Sequence, residues 1–378
     1  MDAEVTLPIP QQTSRFRAAY RVLNDAIDAR AFPGCAFGVL TGEGIILQDA
    51  LGKFTYDQSS PNVNTATVYD LASVTKIAAT TAVAMLLYQR SQLHMDALLG
   101  DLLPDFVAGR SQDDSARRVT LRHLLAHNSG LPGYVEFFRT ATTASELLQA
   151  CLQLPLGAEP GTRAEYSDPG FILLGKALEA RVDEIGQSGS LSSWVQREIF
   201  EPLGMTSTGF SPPTEVRSLI PPTEEDTAFR HRRIQGEVQD ENAWLLNDVA
   251  GHAGLFSNVP NLLRFASEIL GSRLKKSPPG NRANLFNPET VQLFAERQGP
   301  EGSSRALGWD TPSENSSSGR YFSPHSIGHL GYSGCSLWID LDAGVAIVLL
   351  TNRTWPDRMS QLIRQVRPAF HDAVREAL

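Results

Sequence analysis

The two ends of this chain repeat one pattern, an amphipathic helix next to two strands, and this repetition constrains the fold more than any other feature. The strand patterns lie at 35–40, 44–48, 335–341 and 345–352, and the helical patterns at 13–31 and 358–378. Strands joined by short turns pair antiparallel, and a helix with one apolar face covers such a sheet. Both chain ends are therefore expected to contribute to one sheet.

The middle of the chain differs, because helical patterns dominate it and Gly- and Pro-rich loops interrupt them. These patterns lie at 75–92, 121–126, 144–152, 170–182, 192–200 and 260–270. We therefore expect an α+β fold, with an antiparallel sheet flanked by the terminal helices and an all-α domain inserted between the chain ends. The predicted α/β domain comprises 1–70 and 305–378, and the mainly helical domain comprises 71–304.

Charge and hydropathy restrict the class of partner. The 378 residues carry a formal net charge of -9, which opposes binding to nucleic acid. The apolar run 77–88 is too short to span a bilayer, so it is expected to be a core helix. The expected partner is a small-molecule ester or peptide-like substrate, and the sequence does not indicate an oligomeric state.

The first residues and the cysteines bear on location and on metals. No basic segment followed by an apolar one opens the sequence, which favours the cytoplasm, whereas a chain from which a signal had been removed would be periplasmic or secreted. The three cysteines have no metal-ligand spacing and are expected to be buried thiols. His123 and His127 lie four residues apart without a third ligand nearby, so packing is preferred to a metal site. No cofactor is expected.

A first candidate for chemistry is the segment 70–76, with the sequence Asp-Leu-Ala-Ser-Val-Thr-Lys, which leads into the apolar helix. Ser73 and Lys76 are three residues apart, so on a helical turn they share one face and the ammonium reaches the hydroxyl. A serine attacks only if a neighbour accepts its proton. Burial and the helix dipole are expected to lower the pKa of Lys76 from about 10.4 towards about 7. The alternative is a capping serine beside a solvated lysine.

A second candidate is Tyr166, in the turn-rich segment 165–170. Its phenol, with a reference pKa of about 10, accepts a proton from Ser73 if Lys76 stabilises the phenolate, or relays one from Lys76. The alternative is a surface tyrosine beside a helix cap at Asp168.

A third candidate is the segment 328–335, with the sequence Gly-His-Leu-Gly-Tyr-Ser-Gly-Cys, which precedes a strand. Its small residues would let a substrate approach the strand backbone, where an N–H group stabilises a developing oxyanion. The alternative is a glycine-rich turn with an incidental histidine.

In this order the three segments resemble the serine β-lactamase and penicillin-binding protein superfamily. The resemblance is to the branch that contains class C β-lactamases, D-alanyl-D-alanine carboxypeptidases and related carboxylesterases. Further stretches typical of that branch lie at 119–132, 202–205, 251–257 and 350–353, so the resemblance covers nearly the whole chain. It implies a β-lactamase/transpeptidase-like fold with the active site in the cleft between the two domains.

The resemblance also implies a role for each matching residue. Ser73 would be the nucleophile, Lys76 its proton partner, and Tyr166 the general base that later serves deacylation. The backbone N–H groups of Ser73 and Tyr332 would form the oxyanion hole. The residues expected to contact the substrate are Asp168, His329 and Gly331.

Two departures from the family pattern bear on the substrate. Asp168 stands where β-lactamases of this branch have Asn, and His329 stands where they have Lys, so an amide donor and a fixed cation are missing. His329 would hold a substrate carboxylate or tune Tyr166. We expect a serine hydrolase of small carboxylic esters; the alternatives are a D-alanyl-D-alanine carboxypeptidase or weak β-lactamase, and a non-catalytic penicillin-binding-like module. The segment 236–243 resembles carboxypeptidase-like members and has no assigned role.

Overall fold

The computed structural model describes residues 9–187, 189–271, 284–314 and 316–378. The strands are β1 (Gly34–Thr41), β2 (Gly44–Gly52), β3 (Tyr69–Asp70), β4 (Gly209–Phe210), β5 (Glu224–Asp226), β6 (Arg232–Ile234), β7 (Leu255–Ser257), β8 (Ser326–Leu330), β9 (Ser336–Asp340) and β10 (Val345–Thr351). The α-helices are α1 (Ile9–Arg15), α2 (Arg17–Asp28), α3 (Ala82–Gln89), α4 (Leu99–Leu102), α5 (Leu121–Leu125), α6 (Ala144–Leu152), α7 (Asp168–Glu184), α8 (Leu191–Val195), α9 (Glu201–Leu203), α10 (Glu241–Leu245), α11 (Val259–Leu270), α12 (Pro288–Ala295) and α13 (Ile363–Glu376).

The main sheet combines strands from both chain ends, in the spatial order β2-β1-β10-β9-β8. Every neighbouring pair is antiparallel. The two ends meet where β1 pairs with β10, from Cys35 opposite Thr351 to Leu40 opposite Ala346. The prediction that both chain ends build one antiparallel sheet is therefore confirmed.

Helices cover both faces of this sheet. On one face α2 and α13 meet over β1, where the ring of Phe37 lies 5.4 Å from Tyr20 and 5.7 Å from Phe370. On the other face α11 approaches so closely that a Cβ at Gly38 would lie 2.7 Å from Val259. The predicted flanking by terminal helices is confirmed, and a glycine in β1 makes room for the inner helix.

The predicted helices are present, but several begin or end at other residues than predicted. Helix α6 has the predicted bounds, whereas the opening helix is divided into α1 and α2 around Phe16. The last helix begins at Ile363 rather than at Arg358, because Arg358 lies in a loop and pairs there with Glu224 and Glu241. Sequence periodicity thus located the helices better than it located their ends.

The segment 72–92, which contains the predicted helix at 75–92, has three conformations. A 3-10 turn spans Ala72–Val74, a π-helical turn spans Lys76–Thr81, and only then does α3 begin. The buried Thr80 hydroxyl donates to the Gly251 carbonyl at 2.7 Å, which ties the π-helical turn to a loop distant in sequence. Such turns are frequent at functional sites, where they re-aim side chains.

Elements of the two predicted domains pair and pack with each other across the predicted boundary. Strand β3, at the end of the first predicted segment, pairs with β7 from the predicted helical domain. Helix α11, also from that domain, packs on the main sheet. The exact division at 70/71 and 304/305 stays a prediction.

Two further observations concern the described residues. All three cysteines, Cys35, Cys151 and Cys335, are buried free thiols, as expected. In the described ranges no helix combines the length and the apolar character needed to cross a bilayer.

Candidate active site

Ser73 and Lys76 contact each other at the entrance to the π-helical turn. The Lys76 Nζ lies 3.1 Å from the Ser73 Oγ, as the spacing predicted. The same ammonium donates to Asp168 Oδ1 at 2.7 Å and to the carbonyl of His252 at 3.0 Å. The side chain of Lys76 is fully buried, so these oxygens replace its water shell.

The expectation of a lowered pKa for Lys76 is wrong. Burial by itself lowers that pKa, but the carboxylate of Asp168 and the phenol of Tyr166 outweigh it, and the pKa of Lys76 lies above its ordinary value. Asp168 is 92 residues away in sequence, so the spacing of Ser73 and Lys76 did not reveal it. Lys76 is therefore an ammonium in the resting site, and Asp168 is its counter-ion.

Tyr166 completes the group around Ser73. Burial raises the pKa of Tyr166, while the adjacent Lys76 charge and hydrogen bonds with Lys76 and Ser73 act in the opposite direction. The Lys76 Nζ lies 4.9 Å from the centre of the Tyr166 ring. Ser73 and Lys76 therefore both lie next to Tyr166, an arrangement that suits transfer of a serine proton to a phenol beside a cation.

Three side chains that the sequence did not assign to this site extend it: His127 and Arg305 lie beside the Tyr166 ring, and Phe171 stacks on His127. The His127 ring lies 4.6 Å from the Tyr166 ring, between Tyr166 and Phe171, whose ring is 4.9 Å from that of His127. The Arg305 Cζ lies 5.2 Å from the centre of the Tyr166 ring. His127 belongs to a stretch typical of the family, which was a usable signal, whereas nothing in the sequence singled out Arg305.

His127 and His329 are both neutral, because burial lowers each pKa well below its ordinary value. The His127 Nδ1 accepts from the Ser167 N–H at 3.0 Å, which leaves its proton on Nε2. The His329 Nδ1 lies 2.8 Å from the Leu330 carbonyl and donates to it, so its Nε2 is an acceptor. Within the described ranges neither Nε2 atom has a hydrogen-bond partner.

These states bear on the predicted role of His329. Its ring lies 5.8 Å from that of Tyr166, close enough to affect it. As a neutral imidazole, however, it does not replace the fixed cation that the family pattern has at this position.

The two histidines that resembled a metal pair make separate contacts. His123 forms a capping box with Thr120 at the start of α5, whereas His127 faces Tyr166. No group of three or more metal-ligating side chains occurs in the part of the chain that the structure describes.

Gly331 lies against the segment that carries the nucleophile. A Cβ at this position would lie 2.3 Å from the Leu71 carbonyl oxygen. This glycine makes room for the backbone two residues before Ser73, and its predicted contact with the substrate stays a prediction. The small residue is needed because two backbones approach each other closely.

Tyr332 follows in the same turn, which is fastened to the nucleophile segment. The Ser333 hydroxyl donates to the Asp70 carbonyl at 2.7 Å. Neither the Ser73 N–H nor the Tyr332 N–H has an acceptor among the described residues. Two unpaired backbone donors on adjoining segments suit a developing oxyanion.

A half-buried serine and tyrosine with a buried lysine, beside two free backbone donors, define the class of enzymes that transfer acyl groups through a serine ester. Comparison with known proteins gives the family. A family model described as beta-lactamase matches residues 19–369. The chain belongs to this beta-lactamase family, whose members are serine hydrolases.

Relatives of this chain carry the name of a peptidase. The chain is 29% identical over 364 residues to a putative D-alanyl-D-alanine carboxypeptidase of Escherichia coli O157:H7, a match that covers 88% of this chain and 81% of the relative. A protein of the same name from strain K12 is 30% identical over 314 residues, covering 76% of this chain and 70% of the relative.

Solved structures with this fold include EstCE1, described as a hydrolase with promiscuous acyltransferase activity. Its TM-score is 0.73 at 21% identity, covering 96% of this chain and 100% of that one. A penicillin-binding protein homologue from Caulobacter crescentus has a TM-score of 0.73 at 18% identity, covering 100% of both chains. At such low identity these likenesses show the fold alone.

Proposed function

We propose that the protein hydrolyses small carboxylic esters through an acyl-enzyme on Ser73. The observation that carries this proposal is the placement of the Ser73 hydroxyl and the Lys76 ammonium next to Tyr166. A serine held in this way has a proton acceptor, and the acceptor has a cation to stabilise its anionic form.

The reaction starts from the form in which the Lys76–Tyr166 pair has released one proton to solvent, so that Tyr166 is a phenolate beside the Lys76 ammonium. In the first half-reaction the Ser73 Oγ attacks the ester carbonyl while its proton passes to the phenolate oxygen of Tyr166. The backbone N–H groups of Ser73 and Tyr332 stabilise the oxyanion. Tyr166 then protonates the leaving alcohol as the carbonyl–oxygen bond breaks. In the second half-reaction Tyr166 takes a proton from water, which attacks the acyl-enzyme, and Ser73 recovers its hydroxyl.

The preference for neutral esters rests on two residues. The neutral His329 supplies no charge to a substrate carboxylate, and one oxygen of Asp168 is bound to Lys76. Asp168 is thereby assigned to the ammonium rather than to the substrate, because an ionised carboxylate only accepts hydrogen bonds.

A second candidate, D-alanyl-D-alanine carboxypeptidase, is favoured by Arg305. Its guanidinium lies beside Tyr166, and its counter-ion Asp310 is 3.7 Å away and already accepts from Ser304 at 2.7 Å. A cation with so weak a partner can bind a substrate carboxylate in place of the missing lysine. Relatives that carry this activity in their names support the candidate.

The test compares p-nitrophenyl butyrate, a peptide that ends in D-Ala-D-Ala, and nitrocefin. We expect turnover of the ester, an acyl adduct on Ser73 by mass spectrometry, and loss of both in Ser73→Ala. The exposed Ser193→Ala serves as the matched control. Ester turnover that survives in Ser73→Ala contradicts the proposed nucleophile. Preferential turnover of the peptide, reduced in Arg305→Gln, favours the second candidate.

A further inference from the structure

The residue before the nucleophile has an unusual backbone conformation. Ala72 has a φ of 45°, in the left-handed region that residues with a Cβ avoid. Its N–H donates to Asp70 Oδ1 at 2.8 Å, and its carbonyl accepts from the Thr75 hydroxyl at 2.6 Å. A strained conformation persists only where its surroundings fix it, and here both peptide groups of Ala72 are fastened.

The carboxylate of Asp70 joins this turn to a distant segment. Asp70 is 2% exposed, and its second oxygen accepts from the Gln239 N–H at 2.7 Å. Each oxygen thus binds one backbone N–H, one on the nucleophile turn and one in the segment 236–243, whose role the sequence left open.

Gln239 is itself firmly held. Its side-chain amide donates to Glu224 at 3.1 Å and accepts from Thr354 at 3.3 Å. Its carbonyl accepts from Arg230 at 2.6 Å. A group bound on three sides is a rigid anchor for the carboxylate of Asp70.

The next residue supports Lys76. The Asp240 Oδ1 lies 3.0 Å from the His252 Nε2, and the His252 carbonyl accepts from the Lys76 Nζ at 3.0 Å. Adjacent residues of one segment therefore connect to both members of the serine–lysine pair.

We propose that Asp70 is a positioning residue for Ser73: anchored by Gln239, it holds Ala72 in the left-handed conformation that aims the serine hydroxyl at Tyr166. The proposal rests on the proposed role of Ser73 as nucleophile. It also gives the segment 236–243 a function, which is to support the nucleophile turn through Asp70 and the lysine through His252.

The charged groups around Asp70 indicate the pH at which its carboxylate stops supporting the nucleophile turn. Burial raises the pKa of Asp70 to about 6. Of the groups facing it, Asp240 has a pKa of about 2, because His252 outweighs the effect of burial. Burial raises the pKa of the Cys335 thiol to about 11, and Arg230 is paired with Asp226. Asp70 therefore changes charge near pH 6 whereas Asp240 and Cys335 do not. Its protonation removes an acceptor either from the Ala72 N–H or from the Gln239 N–H.

The experiment is a double-mutant cycle that uses glycine to remove the strain. In Asp70→Asn the side-chain amide faces an N–H group, and we expect the rate of Ser73 labelling by a fluorophosphonate to fall about 30-fold. A glycine at position 72 adopts a positive φ without a restraint. The double variant Asp70→Asn/Ala72→Gly should therefore label about tenfold faster than Asp70→Asn alone. Urea unfolding should show a smaller recovery than the labelling rate, because the greater freedom of the unfolded chain with a glycine at position 72 offsets part of the strain that is relieved in the folded state.

A purely structural role for Asp70 predicts the opposite: the double variant would label no faster than Asp70→Asn. That result overturns the proposal. Absence of Ser73 labelling in the wild-type protein would instead contradict the proposed function, so the two failures are distinguishable.

A second measurement does not require Asp70→Asn to fold. The labelling rate of Ala72→Gly is divided by that of the wild type at each pH, which cancels the effect of protonations common to both. We expect this ratio to rise about threefold or more as the pH falls from about 7 to about 5. A constant or falling ratio contradicts the proposal.

Discussion

Asp168→Asn removes the counter-charge of Lys76 while keeping a side chain of the same shape beside it. The Asp168 Oδ1 lies 2.7 Å from an ammonium that is fully buried, and the carboxylate is only 15% exposed. At an effective dielectric constant of about 20, unit charges about 3 Å apart attract by roughly 5 kcal/mol. Breaking a buried pair by removing one partner typically costs about 3–5 kcal/mol, so we expect a loss of about 3 kcal/mol at neutral pH.

The sign of the pH dependence follows from the raised pKa of Lys76. A lysine whose pKa is raised on folding contributes stability below its unfolded pKa of about 10.4 and loses it as the pH rises through the folded pKa. The difference in unfolding free energy between Asp168→Asn and the wild type should therefore be largest at neutral pH and should decrease at strongly alkaline pH.

Asp168→Asn should also shift the pH dependence of catalysis, and it should do so towards lower pH. Asp168 raises the pKa of both Lys76 and Tyr166, and acylation requires that this pair lose a proton. Whichever of the two carries that proton, removing the negative charge makes its loss easier. The pH dependence of kcat/KM for Asp168→Asn should move to lower pH by about one unit or more.

The assay is hydrolysis of p-nitrophenyl butyrate between about pH 5 and 10, together with urea unfolding. The matched control is Glu225→Gln, which removes a carboxylate from a half-exposed pair with Arg233. That pair is screened by water, so neither the pH profile nor the stability should change appreciably. A profile of Asp168→Asn that stays in place or moves to higher pH refutes the reasoning.

Three further substitutions test other parts of the structure. Tyr166→Phe should lower the pre-steady-state acylation rate by about 10²–10⁴-fold, since the phenol oxygen is lost; an unchanged burst rate would exclude Tyr166 as proton acceptor. Gly334→Ala, at a φ of 107° and with its Cβ 1.9 Å from the Thr351 hydroxyl, should cost about 2–3 kcal/mol in urea unfolding, and a neutral effect would contradict the close contact. Burial lowers the pKa of His371 to about 4, so its stabilisation is present above its unfolded pKa of about 6.5 and is lost as the pH falls towards 4. Between pH 7 and 4 the free energy of unfolding, measured with urea, should therefore fall by about 2–3 kcal/mol less in His371→Gln than in the wild type. Equal decreases would contradict this assignment.

Features that depend on neighbours in sequence were predictable. The contact between Ser73 and Lys76 follows from a spacing of three residues on a helical turn. The strands β1 and β10 were predictable as short β-like runs bounded by turns, and their mutual pairing follows from the matching pattern of the two chain ends. In these cases the local backbone conformation alone brings the groups together.

Predictions failed where a distant residue sets the environment. The pKa of Lys76 was expected to fall because burial was foreseeable, but its counter-ion was not. A helix was expected after Ser73, but it opens with a π-helical turn in which the buried Thr80 donates to the Gly251 carbonyl. Charge and hydrogen bonding act through space, so periodicity does not reveal them.

The sequence by itself determined the family, the order of the secondary structure and the likeness of Ser73, Lys76 and Tyr166 to a catalytic set, because spacing and motif order carry that information. Only the tertiary structure decided that Asp168 serves the ammonium, that Gly331 faces Leu71, and that Asp70 fastens the nucleophile turn to Gln239. These contacts join residues far apart in the chain, and their strength depends on burial, which only the packed molecule fixes.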